Sequence, residues 1–324
     1  MRSSCLSFLA VSLLVAGCGG NESKAPDQTA SLATSPTASA GKPPSQAGDP
    51  AAPAPADPDR LAGKDYASPP GKKTPSSLLK ATQSGNIEAV RSLLESGLDP
   101  NAALDDGLAP LHVAVGLELK EVAQLLLDKG AHPDCKQVDG ATPLHLAAFT
   151  GNVEMATLLL DNKADIDAKD KKNQTPLMAA VENKKLDVMR LLLDRGADVS
   201  VHKKDGATVL HSAVYFQVKE AVAELLAKGA DINALTGQKY TPLHMAAYNG
   251  NREIAEMLID QGADVNVLTT DGGTAFQLAA FKEHEELAKY LQEKEIAAGG
   301  PASKAPTPEP GATTQKPAPF KKPQ

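Results

Sequence analysis

A short motif that returns every 33 residues limits the possible folds of this chain more than any other feature. The motif is clearest at residues 240–247, which read YTPLHMAA. We call the equivalent positions of successive copies a column. The column of the motif's threonine contains Ser76, Ala109, Thr142, Thr175, Thr208, Thr241 and Thr274. Self-similarity at a period of about 20–50 residues is typical of stacked units that share no single globular core. We therefore predict seven stacked units across residues 74–298.

Each unit carries the sequence signals of two short helices, shown best by residues 240–272. Thr241 is a predicted N-cap, and Pro242 follows at the first helical position, where its missing N–H costs nothing. Gly250 breaks this helix, and a second apolar pattern at helical spacing runs through residues 254–259. Gly262 then ends the second helix in a left-handed conformation. The pattern predicts two antiparallel helices per unit.

A hairpin-like finger is predicted between successive units, because an Asp-Gly pair favours a tight turn. These pairs are Asp106–Gly107, Asp139–Gly140, Asp205–Gly206 and Asp271–Gly272. Glycine also ends most of the second helices, at Gly97, Gly130, Gly196, Gly229 and Gly262. Lys163 stands in that column in the third unit, which predicts a locally strained or frayed turn.

The 33-residue period and the Thr-Pro-Leu-His tetrapeptide together resemble the ankyrin repeat. The resemblance implies an all-α fold, an α-solenoid of seven helix-turn-helix units with β-hairpin-like fingers. Because no unit can bury its helices alone, stability should be a sum over the interfaces between neighbours. The end units depart from the pattern as capping units should: the first reads Ser76, Ser77, Leu78, Leu79, and the last carries Glu283, Glu285, Glu286 and Glu293.

Composition and charge narrow the functions that such an array can perform. The chain is 42% hydrophobic but only 3% aromatic, so its core must be built from small aliphatic side chains in closely packed helices. Residues 76–298 contain 22 Lys and Arg against 33 Asp and Glu, a net charge of −11. An acidic array repels phosphate backbones, so we predict that nucleic acid is not a partner.

Residues 1–17 have the pattern of a signal peptide. Arg2 supplies a positive charge, and the apolar run of residues 6–16 is too short to span a bilayer. The run ends in Val-Ala-Gly-Cys, which resembles the lipobox of bacterial lipoproteins and implies a lipidated, membrane-bound Cys18. The alternative is an ordinary secretory signal with an incidental cysteine. Gly19 stands where aspartate would retain a lipoprotein in the inner membrane, so the expected location is the outer membrane, facing the periplasm.

Two segments outside the array are too poor in periodic apolar residues to form a core. Residues 18–73 are rich in Pro, Ala and Ser, and are predicted to form a disordered tether that carries the lipidated cysteine. Residues 299–324 are rich in Pro and are predicted to be a disordered tail.

The reactive residue types of the array all occupy repeat positions. The histidines His112, His145, His211 and His244 share one column, which Met178 and Gln277 interrupt. Units stack about 10 Å apart, whereas zinc needs ligands within about 2.3 Å of one ion. The column therefore cannot hold a metal, and the family resemblance implies a structural tie for these histidines. Cys135 lies in a column of small apolar residues and is predicted to be a buried space-filler.

No catalytic arrangement can be assembled from residues outside the repeat positions, so we predict no enzyme, cofactor or small-molecule substrate. Recognition of a protein partner should instead use the side chains that the repeat leaves free. The resemblance places them on an inner, concave face, at the finger tips and at two columns that follow the Ala-Ala pair. Aromatic side chains gather in or beside these columns: Phe149, Tyr215, Phe216, Tyr240, Tyr248 and Phe281.

Exposed aromatic side chains on a rigid face are common anchors of protein interfaces. We predict that these six rings bind a partner, flanked by the finger lysines Lys136, Lys169, Lys171, Lys203, Lys204 and Lys239. An acidic or amphipathic protein surface would suit such lysines. The alternative is that some of the rings pack between helices.

Three functional hypotheses follow from the sequence. The first is a non-enzymatic, monomeric scaffold, holder or inhibitor of another protein, tethered by lipid in the bacterial cell envelope. The second is a surface-displayed protein that binds and neutralises a foreign protein. The third, an enzyme, is the weakest, because it would need catalysis by residues that already hold the repeat together.

Overall fold

The computed structural model describes residues 74–300, which fold into fourteen α-helices arranged as seven successive pairs. The first helices of the pairs are α1 (Pro75–Gln83), α3 (Pro110–Gly116), α5 (Pro143–Thr150), α7 (Pro176–Glu182), α9 (Val209–Tyr215), α11 (Pro242–Asn249) and α13 (Ala275–Phe281). The second helices are α2 (Ile87–Glu95), α4 (Lys120–Asp128), α6 (Val153–Asp161), α8 (Leu186–Asp194), α10 (Lys219–Ala227), α12 (Arg252–Asp260) and α14 (Glu285–Ala297). The predicted all-α fold of seven two-helix units is confirmed.

Several predictions concern residues outside the described range. The signal peptide of residues 1–17, Cys18, the tether of residues 18–73 and most of the proline-rich tail all lie there. Within residues 74–300, no helix is both long enough and apolar enough to cross a membrane.

The helices form two rows along the stack, and the first helices approach one another more closely than the second helices do. The sequence explains this difference, because two columns of the first helices are almost fully buried. One column contains Leu78, Leu111, Leu144, Leu177, Leu210 and Leu243, and the other contains Ala114, Ala147, Ala180, Ala213, Ala246 and Ala279. The leucines bury apolar surface between units, and the alanines let neighbouring backbones come close.

The predicted cap at Thr241 is present, and the first unit starts its helix in a shifted register. Thr241 Oγ1 accepts a hydrogen bond from the backbone N–H of His244, at 3.3 Å, and Pro242 opens helix α11. Helix α1, however, begins at Pro75 with Thr74 as its N-cap, two residues before the threonine column reaches Ser76. A Thr-Pro pair favours the start of a helix, and in the first unit that pair lies upstream of the column.

The turn at Lys163 is strained but not frayed. Lys163 has a φ of 66°, in the left-handed region that the other units fill with glycine. The hydrogen bond from Ala164 N to Leu159 O is 3.0 Å long, as is the bond from Ala197 N to Leu192 O in the next unit. The backbone therefore keeps the geometry of the other units, although a left-handed conformation is sterically unfavourable for lysine.

The fingers are tight turns whose backbones also hydrogen-bond to one another. Within one finger, Lys203 N donates to Ala207 O at 2.9 Å, and the other fingers repeat this bond. Between fingers, Lys171 N donates to Asp139 O and Gly237 N donates to Asp205 O, both at 2.8 Å. The fingers therefore form a continuous row beside the first helices.

Candidate protein-binding surface

In the histidine column, His112, His145 and His211 join their first helices to the base of the following finger. His145 shows the arrangement: its Nδ1 lies 2.9 Å from Thr142 Oγ1, and its Nε2 lies 2.9 Å from Gln174 O. His211 repeats it, with Nε2 3.0 Å from Tyr240 O. The predicted structural tie is therefore present, and it positions the fingers relative to the helices.

These histidines are held in the neutral form. Burial lowers the pKa of His112, His211 and His244 to about 4, and it also lowers the pKa of His145. In the tie, Nδ1 accepts a bond from a backbone N–H, as from Thr142 N at 3.2 Å, so Nε2 carries the proton and donates to the carbonyl. A neutral imidazole satisfies both bonds without burying a charge.

Cys135 compensates for the one histidine whose threonine partner is missing. Ala109 replaces that threonine in the second unit, and Cys135 Sγ lies 3.6 Å from His112 Nδ1 in its place. Cys135 is half-buried, and burial raises its thiol pKa to about 12. A thiol that is protonated at neutral pH is a weak nucleophile, so the cysteine has a packing and hydrogen-bonding role.

The predicted aromatic residues differ in how far the structure exposes them. Phe281 is exposed, with 41% of its surface accessible, and Phe149 is half-buried. Tyr215, Phe216 and Tyr248 are also half-buried and pack partly against the hydrophobic core. The rings of Tyr215 and Phe216 meet edge to face, with centroids 5.2 Å apart. We call Phe149, Tyr215, Phe216, Tyr248 and Phe281 the ring surface.

Two of the predicted partner-binding residues are buried, and their assignment to an exposed surface was wrong. Tyr240 is only 6% exposed, because its ring turns inward and lies edge-on to the ring of His244, with centroids 5.8 Å apart. Lys203 is 8% exposed, and its ammonium group pairs with the carboxylate of Glu182. Neither side chain is available to a partner.

The other predicted finger lysines are exposed: Lys136, Lys169, Lys171, Lys204 and Lys239. They alternate along the fingers with Asp139, Asp170 and Asp205, whose carboxylates accept backbone N–H groups of their own turns. The two central fingers are residues 169–174 and 202–207. The first has three lysines against one aspartate, whereas in the second Lys203 is paired with Glu182, which leaves Lys204 beside Asp205.

Two polar features of this face had no clear sequence signal. Lys282 Nζ lies 4.2 Å from the ring centroid of Tyr248 and 5.8 Å from that of Phe281, close enough for cation–π attraction. Glu182 occupies the ring column between Phe149 and Tyr215 and forms a polar cluster with neighbouring units. Lys282 lies next to a predicted ring in the sequence. The role of Glu182 could not be predicted, because it depends on contacts from three separate segments of the chain.

The chemistry of the array points to recognition by side chains. Among residues 74–300, no three His, Cys, Asp or Glu side chains come together in a way that could hold a metal ion. The buried histidines are engaged with threonine and carbonyl groups, and the exposed face offers rings, lysines and finger tips. Such a face can bind a polypeptide by apolar contact and charge.

A family model described as ankyrin repeats (3 copies) matches four overlapping stretches of the chain, residues 78–170, 130–203, 163–236 and 210–299. Together these stretches cover residues 78–299, which is more than half of the sequence. No curated protein matches the chain.

Proposed function

Because the chain belongs to the ankyrin-repeat family, a family of protein-interaction modules, we propose that its array captures one other protein through the ring surface. The observation that supports this most directly is the run of rings across three consecutive units. Tyr215 and Phe216 in the fifth unit, Tyr248 in the sixth and the exposed Phe281 in the seventh share adjacent columns. Aromatic side chains contribute large contact area with little loss of rotamer freedom.

The exposed finger lysines favour a partner with acidic as well as apolar groups. Lys169, Lys171 and Lys204 lie on the two central fingers, and Lys282 adds a positive charge between Tyr248 and Phe281. Rim charges of this kind raise association rates and select partners more than they add affinity. We expect complex formation to slow as salt concentration rises.

A substitution at Phe281 tests the ring surface with the least risk to the fold, because Phe281 is the most exposed residue of that surface, at 41%. Phe281→Ser should lower partner capture at least tenfold, as loss of an interface anchor does. Ile296→Ser is the matched control, since Ile296 is also a large exposed hydrophobic residue, at 49%, but lies outside the ring surface. Capture is measured by crosslinking the full chain in an envelope extract and quantifying the bound protein, with melting temperatures as a folding check.

Equal capture by both variants would overturn the assignment of the ring surface. A fall in the melting temperature of Phe281→Ser by more than about 5 °C would instead indicate a structural role for the ring.

The proposed role of the interaction is that of a scaffold, holder or inhibitor at a bacterial membrane. The residues that support the tether are the apolar leader and the Val-Ala-Gly-Cys motif ending at Cys18. Two or three acyl chains on one cysteine anchor a protein far more firmly than a single chain does. Cys18→Ser should therefore move the protein from the membrane fraction to the soluble fraction.

Protease treatment of intact cells distinguishes the two orientations. A protein on the periplasmic side of the outer membrane is protected, whereas a surface-displayed protein that neutralises a foreign protein is digested. Digestion would replace the first role by the second.

A further inference from the structure

Besides the backbone bonds between fingers, two kinds of hydrogen bond made by side chains repeat at the junctions between units. The first is the histidine tie, as from His145 to Gln174 O. The second, which we call the loop tie, joins the loops that follow successive second helices. In it an Asn or Asp oxygen accepts the backbone N–H of the residue 31 positions later. Loop ties run from Asn101 to His132, Asp134 to Asp165, Asp167 to Asp198 and Asn233 to Asp264, at 2.7–3.0 Å.

The junction between the fourth and fifth units has neither residue type. Met178 stands in the histidine column, and its side chain has no N–H to donate to Ala207 O. Ser200 stands in the column of the loop tie. Within the described residues, no hydrogen bond joins Ser200 to Asp231. At four of the other five junctions at least one of the two ties forms. At the last junction His244 and Asn266 occupy the two positions, but among the described residues neither His244 Nε2 nor Asn266 Oδ1 has a hydrogen-bond partner, and His284 Nε2 lies 3.1 Å from Tyr248 O instead.

A cluster of charged and polar side chains, half-buried to buried, occupies the junction between the fourth and fifth units instead. Glu182, at the end of α7, receives hydrogen bonds from Gln174 Nε2 at 2.7 Å and from Ser212 Oγ of α9 at 2.9 Å. Lys203 Nζ, from the finger that leads into α9, pairs with the same carboxylate. We call Gln174, Glu182, Lys203 and Ser212 the clasp.

Charge pairs also cross this junction on the outer row of helices. Arg190 of α8 lies 2.7 Å from Glu224 of α10, and Lys228 lies 3.0 Å from Asp194. Similar outer pairs occur elsewhere, as between Lys120 and Glu154. They are exposed and each contributes little, so the clasp is the contact that distinguishes this junction.

We propose that the junction between the fourth and fifth units is a hinge whose closed state is held by the clasp. The apolar contact of α7 with α9 and the bond between fingers from Lys204 N to Lys172 O, at 3.1 Å, keep the two sides adjacent, while opening breaks the clasp and neither of the two side-chain ties. A desolvated ion pair depends strongly on both members, because either charge left alone is unstable in the interior. The clasp therefore divides the array into blocks of four and three units.

The hinge has a consequence for binding that rests on the proposed function. Lys136, Lys169 and Lys171 belong to the four-unit block, whereas Tyr215, Tyr248 and Phe281 belong to the three-unit block. A partner that contacts both groups would select one angle between the blocks. Binding would then stabilise the closed hinge, because a ligand shifts the population toward the conformation that it binds best.

Hydrogen–deuterium exchange of the full chain tests the hinge without any partner. We expect amides at the ends of α7 and α9 to exchange at least about tenfold faster than the equivalent amides of α5 and α11, because they open locally. Glu182→Gln should speed exchange there by roughly a further tenfold, since it leaves Lys203 without a counter-charge. The double change Met178→His and Ser200→Asn, which supplies both ties, should slow it by a similar factor.

A matched control removes the ties from the next junction, by His211→Met with Asn233→Ser. It should create a second region of fast exchange at the fifth and sixth units. Uniform exchange along the wild-type array would overturn the hinge, as would exchange at α7 and α9 that does not respond to Met178→His with Ser200→Asn. If that pair of changes impairs folding, Ser200→Asn alone is the variant measured. The exchange result is independent of partner capture, so failure of one proposal can be told from failure of the other.

Discussion

Single residues decide how the stability of this protein responds to pH, because the four histidines of the column are buried and neutral. In all four a backbone N–H donates to Nδ1, and in His112, His145 and His211 Nε2 donates to a carbonyl. A protonated imidazole could not accept at Nδ1 and would bury a charge. The unfolded chain has no such restriction, so acid favours unfolding.

The first prediction is a loss of stability as pH falls from about 6.5 to about 4. Burial places the pKa of His112, His211 and His244 at about 4 in the folded protein, against about 6.5 in an unfolded chain. The unfolded state thus binds more protons within this window, and stability is complete above it. Each of the three histidines can account for up to roughly 3 kcal/mol. Urea unfolding at several pH values measures the loss.

His211→Gln isolates the contribution of one histidine to this slope. The variant should be less stable at neutral pH but should lose less on acidification. An unchanged pH slope would show that His211 does not titrate on unfolding in this range.

The second prediction concerns the strained turn at Lys163. Lys163→Gly should raise the free energy of unfolding by about 0.5–1 kcal/mol, since glycine adopts a φ of 66° without the steric cost that a side chain incurs. Gly196→Lys, at the equivalent position of the next unit, is the reciprocal control and should be destabilising. A less stable Lys163→Gly protein would mean that the lysine side chain makes a compensating contact.

At the scale of elements, the conformation of each finger depends on contacts with the neighbouring fingers as much as on its own turn. A Cβ added to Gly206 would lie 2.7 Å from Gly237 N, which belongs to the next finger. Gly272, in the last finger, has a similar positive φ but nothing within 4 Å of the added atom. These two glycines separate backbone strain from crowding between fingers.

The third prediction follows from that pair. Gly272→Ala should cost about 1 kcal/mol through its backbone alone, whereas Gly206→Ala should cost about 2–4 kcal/mol because the two finger backbones must also move apart. Chemical denaturation of both variants measures the difference. Equal losses would show that the finger row adjusts freely to an extra methyl group.

The elements were predictable because their signals are local. Thr241 with Pro242, Gly250 and Gly262 each act on the backbone within a few residues, and the structure places a cap, a break and a helix end at those positions. The start of α1 was missed by two residues because the column, read from neighbouring units, passes over the local Thr74–Pro75 pair. A local capping signal therefore outweighs the repeat register at the edge of the array.

The candidate site was less predictable, because side-chain burial depends on residues far away in the sequence. Tyr240 precedes a capping threonine, yet its ring faces His244 on the helix that follows. Lys203 lies in a polar finger, yet Glu182 is within its reach. Nothing near either residue in the sequence shows these contacts.

For the whole array, stability should be a sum over neighbouring units, with a cap at the last one. Glu283, Glu285, Glu286 and Glu293 are exposed, as predicted for a polar outer surface. On the inner side of the same helix, Leu287, Ala288 and Leu291 are buried. Helix α14 therefore covers apolar surface that would otherwise face water.

The fourth prediction is that removing residues 285–324 destabilises the array by roughly 5 kcal/mol, mainly from two lost leucines and the surface they cover. A control chain that lacks only residues 301–324 should melt close to the full chain. Thermal unfolding followed by circular dichroism compares the two. Similar melting temperatures would show that α13 is sufficient to end the stack.

Because the junctions differ in the ties they carry, they also determine which units could be duplicated. Copying one block of 33 residues within the second or third unit would create a new junction with both a histidine and an Asn or Asp in place, so a longer chain should assemble. Copying the fourth unit would instead duplicate Met178 and Ser200 and place Glu182 opposite a segment without Ser212. Growth by tandem duplication is therefore favoured toward the N-terminal units and resisted at the clasp.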